Sequence, residues 1–282
     1  MKNYGLVVKD IRNGKGYTQK YVIKNHLTQG GFSKFENGLS DISLRNMEFI
    51  LNQLDVTFEE FFFITHDYHY RKKDDLLQQF INLTYNDKLS LKKIHKDYKI
   101  FLDKNDDILL GNILIILESL IILSETHDFK KAARKVAPIW TQLQKRNTLY
   151  FIDLFILSSI LFFFPLETAL DIRKFAERNI NKYKTFQNIH RLKINLSINS
   201  MLLLMKDNQF NIALEEAEKA IVLCQEEQMY IHLSVFYIRK GICLSKLNKG
   251  GDEWIEKGQN ILNVLEQKSL AQLMSNEVLR YK

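Results

Sequence analysis

The chain has 282 residues, 46 % of them hydrophobic, and only two prolines, which allows a large core and suits two domains better than one. Few helix breakers and many Leu, Ile, Lys, Asn and Phe favour helices joined by short loops. The formal charge of +7 is concentrated at one end: Met1–Arg45 carries eight Lys/Arg against three Asp/Glu, and Asn46–His66 carries four acids and no Lys or Arg. That total excludes little by itself, but its placement points any polyanion toward the N-terminal region.

The opening MKNYGLVVKD sets charges around a very short apolar stretch and does not read as a signal peptide. From Tyr4 to Ile64 the pattern divides into five short helices. The first, about Tyr4 to Asn13, puts Leu6, Val7 and Ile11 on one face and is ended by Gly14 and Gly16. Thr18 caps the second, and Asn25 is expected to turn the chain through a left-handed conformation. Thr28 caps the third helix, Gln29 to Asn37, which Gly38 stops. Ser43 caps the fourth, with Ile42 and Met47 placed as a hydrophobic staple. Thr57-Phe58-Glu59-Glu60 reads as a capping box opening the fifth.

The stretch Thr28-Gln29-Gly30-Gly31-Phe32-Ser33-Lys34-Phe35-Glu36-Asn37-Gly38 resembles the recognition helix of repressor-type helix-turn-helix domains. Its continuation, Ser40-Asp41-Ile42-Ser43-Leu44 and then Leu51 to Phe61, is similar to the Rgg-type regulators of Gram-positive bacteria. Phe32 and Phe35 share a face and pack inward, leaving Gln29, Gly30, Ser33 and Lys34 on the exposed side. A recognition helix presents its N-terminal residues to base edges. Gln29 suits bidentate bonding to adenine, and Lys34 suits guanine or phosphate. Thr28 and Ser33 complete that surface, while Arg12, Lys15, Gln19 and Lys20 are candidate phosphate contacts. Glu36 is expected to bond within the domain, because phosphates repel a carboxylate. Gly30 and Gly31 offer no side chain to a base, which shifts part of the readout to DNA shape.

After His66 the polar run Asp67–Lys73 reads as a linker. His66-Asp67-Tyr68-His69 lacks the further ligands that a metal site needs, so no metal is expected there. From Asp74 onward helix follows helix. Phe129-Lys130-Lys131-Ala132 recurs as Leu166-Glu167-Thr168-Ala169 and as Phe210-Asn211-Ile212-Ala213, with Ile139, Ala176 and Ala220 seven positions after each Ala. This is a loose version of the tetratricopeptide pattern, in which small residues let the two helices of a hairpin approach closely. A further unit begins near Gln228, with Gly241 in its first helix and Trp254 in its second, and a degenerate pair precedes Asn105. Two apolar runs, Ile108 to Leu123 and Phe151 to Pro165, carry Asn112, Glu118 and Asp153 and read as core helices rather than membrane spans. Cys224 and Cys243 read as buried thiols without metal or disulfide spacing.

The fold expected is therefore all-α: a five-helix helix-turn-helix domain over 1–66, a linker over 67–73, and a tetratricopeptide-like superhelix over 74–282. This organisation looks like that of Rgg-type regulators over nearly the whole chain. The resemblance implies a cytoplasmic homodimer on an imperfect inverted repeat of double-stranded DNA, controlled by a short signalling peptide in quorum sensing. It implies no membrane, no cofactor and no enzymatic activity; HExxH, P-loop, GxGxxG and GxSxG motifs are missing, and the seven histidines are scattered. A stacked array offers a long concave face lined by the first helix of each pair. The repeat register places Glu118, Asn195, Asn199, Leu202, Lys206, Arg239 and Ile242 on that face, with Leu117 and Ile121 beside Glu118. Asn199 would bond a peptide backbone and Arg239 a terminal carboxylate. Two other readings remain open at this point: a repressor without a ligand, and a helical-repeat scaffold for protein interaction.

Overall fold

The computed structural model describes residues 2–83, 88–126, 128–186 and 188–281, and among these the chain is helical, with no strand. It divides into two compact units, Met1–Asp75 and Leu76–Lys282.

The first unit contains α1 (Tyr4–Gly14), α2 (Gln19–Ile23), α3 (Gln29–Glu36), α4 (Leu44–Gln53) and α5 (Phe58–Thr65), and α6 (Lys72–Ile81) begins in it. Local sequence sets each start. The hydroxyls of Thr18, Thr28, Ser43 and Thr57 accept from the backbone N–H of Tyr21, Gly31, Asn46 and Glu60, contacts that stabilise a helix by about 1 kcal/mol each. Asn3 caps α1 in the same way, its Oδ1 accepting from Gly5 and Leu6. At Thr57 the reciprocal limb of the capping box does not form among the described residues. The turn between α2 and α3 comes one position earlier than the sequence suggests. Lys24, not Asn25, has a positive φ of 45°, because the Ile23 carbonyl accepts from His26 and closes the turn there. Asp67 and Tyr68 also adopt left-handed conformations beyond α5. The core is apolar and continuous: Val7, Val8, Val22, Phe32, Phe35, Ile50, Leu51, Leu54 and Phe61 meet in its interior.

The second unit continues with α7 (Lys88–Leu102), α8 (Ile108–Thr126), α9 (Phe129–Leu143) and α10 (Phe151–Ile160), which runs into a short 3-10 turn, Leu161–Phe163. Then follow α11 (Leu166–Ile180), α12 (Ile189–Lys206), α13 (Phe210–Glu226), α14 (Tyr230–Lys246), α15 (Asp252–Val264) and α16 (Lys268–Tyr281). Helices α8/α9, α10/α11, α12/α13 and α14/α15 pack as consecutive hairpins, and α16 lies against α14 and α15. The second helices α9, α11 and α13 begin at Phe129, Leu166 and Phe210, the residues that open each sequence repeat. Ala132, Ala169 and Ala213, with Ile139, Ala176 and Ala220, are all buried. Small residues at these places bring the paired helices together. Residues Asn208, Gln228, Asn248 and Glu266 take positive φ after α12, α13, α14 and α15, ending each helix in a left-handed turn.

The first helices α8, α10, α12 and α14 touch one another in turn. Across the second helices, contact is made by long side chains, as where Arg173 of α11 meets Glu216 of α13. Closer spacing on the first-helix side bends a stack so that these helices form its inner layer. The run around Ile108 departs from expectation in one respect: α8 is 19 residues long and apolar enough, by length and composition, to cross a membrane. It packs between α7 and α9 instead, with Leu110, Ile113, Ile116, Leu117 and Leu120 in the core. Cys224 and Cys243 are fully buried, and burial pushes both thiols up to about 12.

Candidate nucleic-acid interface and ligand groove

In the first unit, one buried network holds the helix-turn-helix together. The Arg12 guanidinium of α1 grips Glu36 of α3 through two bonds, Nε to Oε1 at 2.7 Å and Nη2 to Oε2 at 2.9 Å. Its Nη1 also donates to the Tyr17 carbonyl, and Gln19 of α2 donates to Glu36 Oε2 at 2.7 Å. Glu36 is 0 % exposed and Arg12 is 8 % exposed. Arg12 is thus corrected from phosphate contact to internal clamp: its donors are spent inside, where they satisfy a carboxylate that would otherwise be buried unpaired. Gln19 is partly withdrawn from the surface for the same reason. Glu36 does bond within the domain, as its charge requires.

The remaining residues of the set are presented outward. Lys15, Lys20, Thr28, Gln29, Gly30 and Lys34 are exposed and Ser33 is half-buried. Phe32 and Phe35 anchor the opposite face of α3 in the core. Thr28 contributes its cap to the first turn of α3. The N-terminal end of this helix therefore offers Gln29 and free backbone N–H groups, flanked by lysines, on a rigid support. A β-carbon added at Gly30 would meet nothing within 4 Å, so no packing inside the unit demands glycine there.

In the second unit the register singled out by sequence proves to be a structural rung. Asn199 of α12 donates from Nδ2 to the Ser158 carbonyl of α10 at 2.7 Å. Arg239 of α14 donates from Nη1 to the Ile198 carbonyl of α12 at 2.7 Å. Both bonds span 41 positions, so they are one device repeated in successive hairpins. Arg239 also forms a bidentate pair with Glu277 of α16, at 2.7 and 3.1 Å, and is only 5 % exposed. Arg239 is corrected accordingly: a side chain engaged by three bonds does not stand free for a terminal carboxylate. Ile242, 2 % exposed, is a core residue. Asn199 keeps its carbonyl oxygen and its second amide hydrogen uncommitted. Glu118, an equivalent place on α8, pairs with Lys135 and His95. Burial raises its carboxyl, but the Lys135 charge and the bonds from Lys135 and His95 outweigh it and hold the group below the ordinary glutamate value.

Asn195 and Leu202 are half-buried on α12, and Asn195 has no hydrogen-bond partner among the described residues. Lys206 is exposed as a residue, but its ammonium lies 3.7 Å above the centre of the Phe129 ring. Burial of that group, then the Arg239 charge, pushes it down to about 8 against the opposing pull of Glu277. Sequence reasoning misses Arg191, on the same helix, and reads His232 only as a lone structural histidine. Arg191 is half-buried and has no ion-pair partner among the described residues, and burial lowers its guanidinium from the ordinary value. His232 of α14 is buried, and burial followed by the Arg191 charge pushes its imidazole down to about 4. Arg191 stands four positions before Asn195, a spacing that puts both on one helix face, so the register carried a signal for it.

These features define the class: a helix-turn-helix unit joined to an array of helical hairpins of the tetratricopeptide type. Residues 150–276 match the family model for the C-terminal domain of the HTH-type transcriptional regulator Rgg, and this part of the chain is similar to Rgg-type C-terminal domains. Comparison with curated sequences gives no match. Solved structures share the whole fold. A candidate transcriptional regulator from Listeria monocytogenes EGD-e superposes with a TM-score of 0.76 at 22 % identity, covering 99 % of this chain and 97 % of its own. PlcR from Bacillus thuringiensis, in complex with the peptide PapR7 and DNA, gives 0.70 at 19 % identity, covering 98 % and 100 %. The SHP pheromone receptor Rgg2 from Streptococcus dysgalactiae gives 0.67 at 18 % identity, covering 99 % and 100 %.

Proposed function

We propose that this chain is a cytoplasmic, homodimeric transcription regulator of the quorum-sensing kind. Its first unit reads an imperfect inverted repeat of DNA, and its hairpin array binds a short signalling peptide along the inner helices. The observation that carries the reading is the build of α3: Gln29 and Lys34 face outward on a helix whose other side is anchored by Phe32, Phe35 and the Arg12–Glu36 clamp. Base readout requires such rigid presentation of a few side chains. Lys15 and Lys20 supply the phosphate contacts that set position without reading sequence. The likeness to PlcR in complex with a peptide and DNA supports the same division of labour. The family matched over 150–276 is one of transcription regulators, and we assign the chain no reaction.

The test is operator selection from random duplex DNA, followed by salt titration of the selected site. Gln29→Ala is expected to lose about 1–3 kcal/mol of discrimination at one base pair. Lys20→Gln is expected to weaken all sequences alike and reduce the salt slope by about one. Unchanged affinity and slope in both variants would remove α3 from the DNA.

A further inference from the structure

The second helices of the array differ in charge. Helix α9 carries Lys130, Lys131, Arg134 and Lys135 and no acid; Lys145 and Arg146 extend the run, and the next acid is Asp153. Helix α11 balances three Lys/Arg against three acids, α13 sets Lys219 against four glutamates, and α15 sets Lys257 against three acids. Net positive charge is therefore confined to the first of them. On α9, Ala132, Val136, Ile139 and Leu143 are buried. By helical periodicity Lys130, Arg134, Thr141 and Lys145 fall on the opposite side, with Lys131, Pro138 and Gln142 beside them. All seven are exposed. Lys135 pairs with Glu118 and Arg146 with Asp153, but Lys130, Lys131, Arg134 and Lys145 form no ion pair among the described residues.

This face has shape as well as charge. Ala137 and Pro138 are small, and a shallow groove opens over them, walled by Arg134, Thr141, Gln142 and Lys145. Thr141 spends its hydroxyl hydrogen on the Ala137 carbonyl. Asn112 of α8 donates to the Gln142 carbonyl oxygen at 3.3 Å, which leaves the Gln142 amide hydrogens to donate elsewhere. No aromatic or large aliphatic side chain is exposed between Lys130 and Lys145. Protein interfaces are organised around apolar and aromatic anchors and are poor in lysine, and helices that lie on membranes insert an apolar face. Contacts to nucleic-acid phosphates instead use Lys, Arg and Gln donors and need no apolar anchor. Fifteen residues separate Lys130 from Lys145, about 22 Å along a helix; duplex DNA of that length carries about thirteen phosphates.

We propose that the outer face of α9 is a second DNA-contact surface, which holds the sugar-phosphate backbone of a duplex whatever its sequence. Arg134 and Lys145 grip phosphates at the two ends of the groove, Gln142 donates between them, and Lys130 and Lys131 extend the contact along the helix. These groups are mostly point charges on flexible stems, suited to phosphates rather than to base edges. The inference goes beyond the recognition-helix reading: it concerns the hairpin array and shares with that reading only that the ligand is DNA. Its consequence is that part of the salt dependence of DNA binding arises outside the first unit.

The experiment uses the full chain and a labelled duplex of random sequence, with affinity read by fluorescence anisotropy across a salt series. Combining Lys130→Gln, Arg134→Gln and Lys145→Gln is expected to lower the slope of log affinity against log salt by about 2.7. Lys174→Gln, Lys219→Gln and Lys249→Gln together remove the same charge from exposed positions elsewhere in the array and should leave the slope in place. A benzophenone attached through Thr141→Cys should cross-link to the duplex; Cys224 and Cys243 are buried and do not compete for the label. An unchanged slope in the first combination, an equal fall in the second, or no cross-link from position 141 each overturns the proposal. Loss of the cross-link to polyglutamate at equal charge concentration overturns it in favour of an acidic protein partner. Lys20→Gln in the same titration tests the recognition-helix reading separately, so the two can fail independently. The cross-link is read in an otherwise parental chain and decides the matter even where a combined variant loses helix content.

Discussion

Each unit contains a buried bidentate arginine–glutamate pair, and the two pairs do different work. Arg12–Glu36 joins helices inside a small core, where the glutamate has no access to solvent. Arg239–Glu277 joins an inner helix of the array to α16, with the glutamate side chain still 12 % exposed. In a compact unit of short helices, the ionic clamp adds a directional tie between α1 and α3 to the non-directional burial of Phe32 and Phe35. In a hairpin array each element contacts only its neighbours, and the same chemistry is spread along the inner layer as rungs from Asn199 and Arg239. Orientation of one helix is the product in the first case; spacing of successive hairpins is the product in the second.

The largest expected effect breaks the first pair. Arg12→Met leaves Glu36 unpaired in the interior and should cost about 3–5 kcal/mol, whereas Arg12→Met combined with Glu36→Leu should be close to neutral. Amide hydrogen exchange of α1 and α3 in the full chain reads both. Arg239→Met should cost less, because water can still reach Glu277. Equal losses at the two sites would end the distinction between clamp and rung.

A second effect belongs to the array alone. His232 stays neutral in the folded chain down to about pH 4, while its ordinary value is 6.5. Acidification between those values adds a proton to the unfolded chain only, so stability falls as pH drops through that window. The full loss is about 3 kcal/mol, complete only below the folded value. Urea midpoints followed through Trp140 and Trp254, both in this unit, should show the decline, and His232→Gln should flatten it. A midpoint independent of pH from 7 to 4 in the parent would place His232 in a wetter setting.

Glycine sharpens the comparison at smaller scale. At Gly258 of α15, an added β-carbon would stand 2.6 Å from the Ser234 carbonyl of α14; Gly258→Ala should therefore force the hairpin apart and cost about 1–3 kcal/mol. Gly30 of α3 has open space instead, and Gly30→Ala should stabilise the first unit by up to about 1 kcal/mol. If close approach of DNA is the reason for glycine there, the same variant should bind its operator less tightly. Thermal melts and operator titration of that one variant separate the two consequences. A variant less stable than its parent would show that α3 already needs the glycine for its own packing.

Much of this architecture follows from short-range chemistry. The hydroxyls of Thr18, Thr28, Ser43 and Thr57 cap helices through N–H groups three positions away, so the caps are readable from composition and spacing. The starts of α9, α11 and α13 at Phe129, Leu166 and Phe210 are readable because a repeated small residue marks where hairpin partners must approach. The outward face of α3 follows from Phe32 and Phe35 by helical periodicity alone. Other features depend on residues far apart in the chain. Arg12 meets Glu36 across 24 positions and Arg239 meets Glu277 across 38, and no local pattern announces either partner. The register put Glu118, Asn199 and Arg239 on one face, since such placement is a matter of spacing. Whether such a place binds a ligand or ties two helices together is decided by which carbonyl or carboxylate the fold brings within hydrogen-bond reach. For Asn199 and Arg239 it brought Ser158, Ile198 and Glu277. For Arg191 and Asn195, one or two turns before Asn199 on the same helix, it brought none among the described residues.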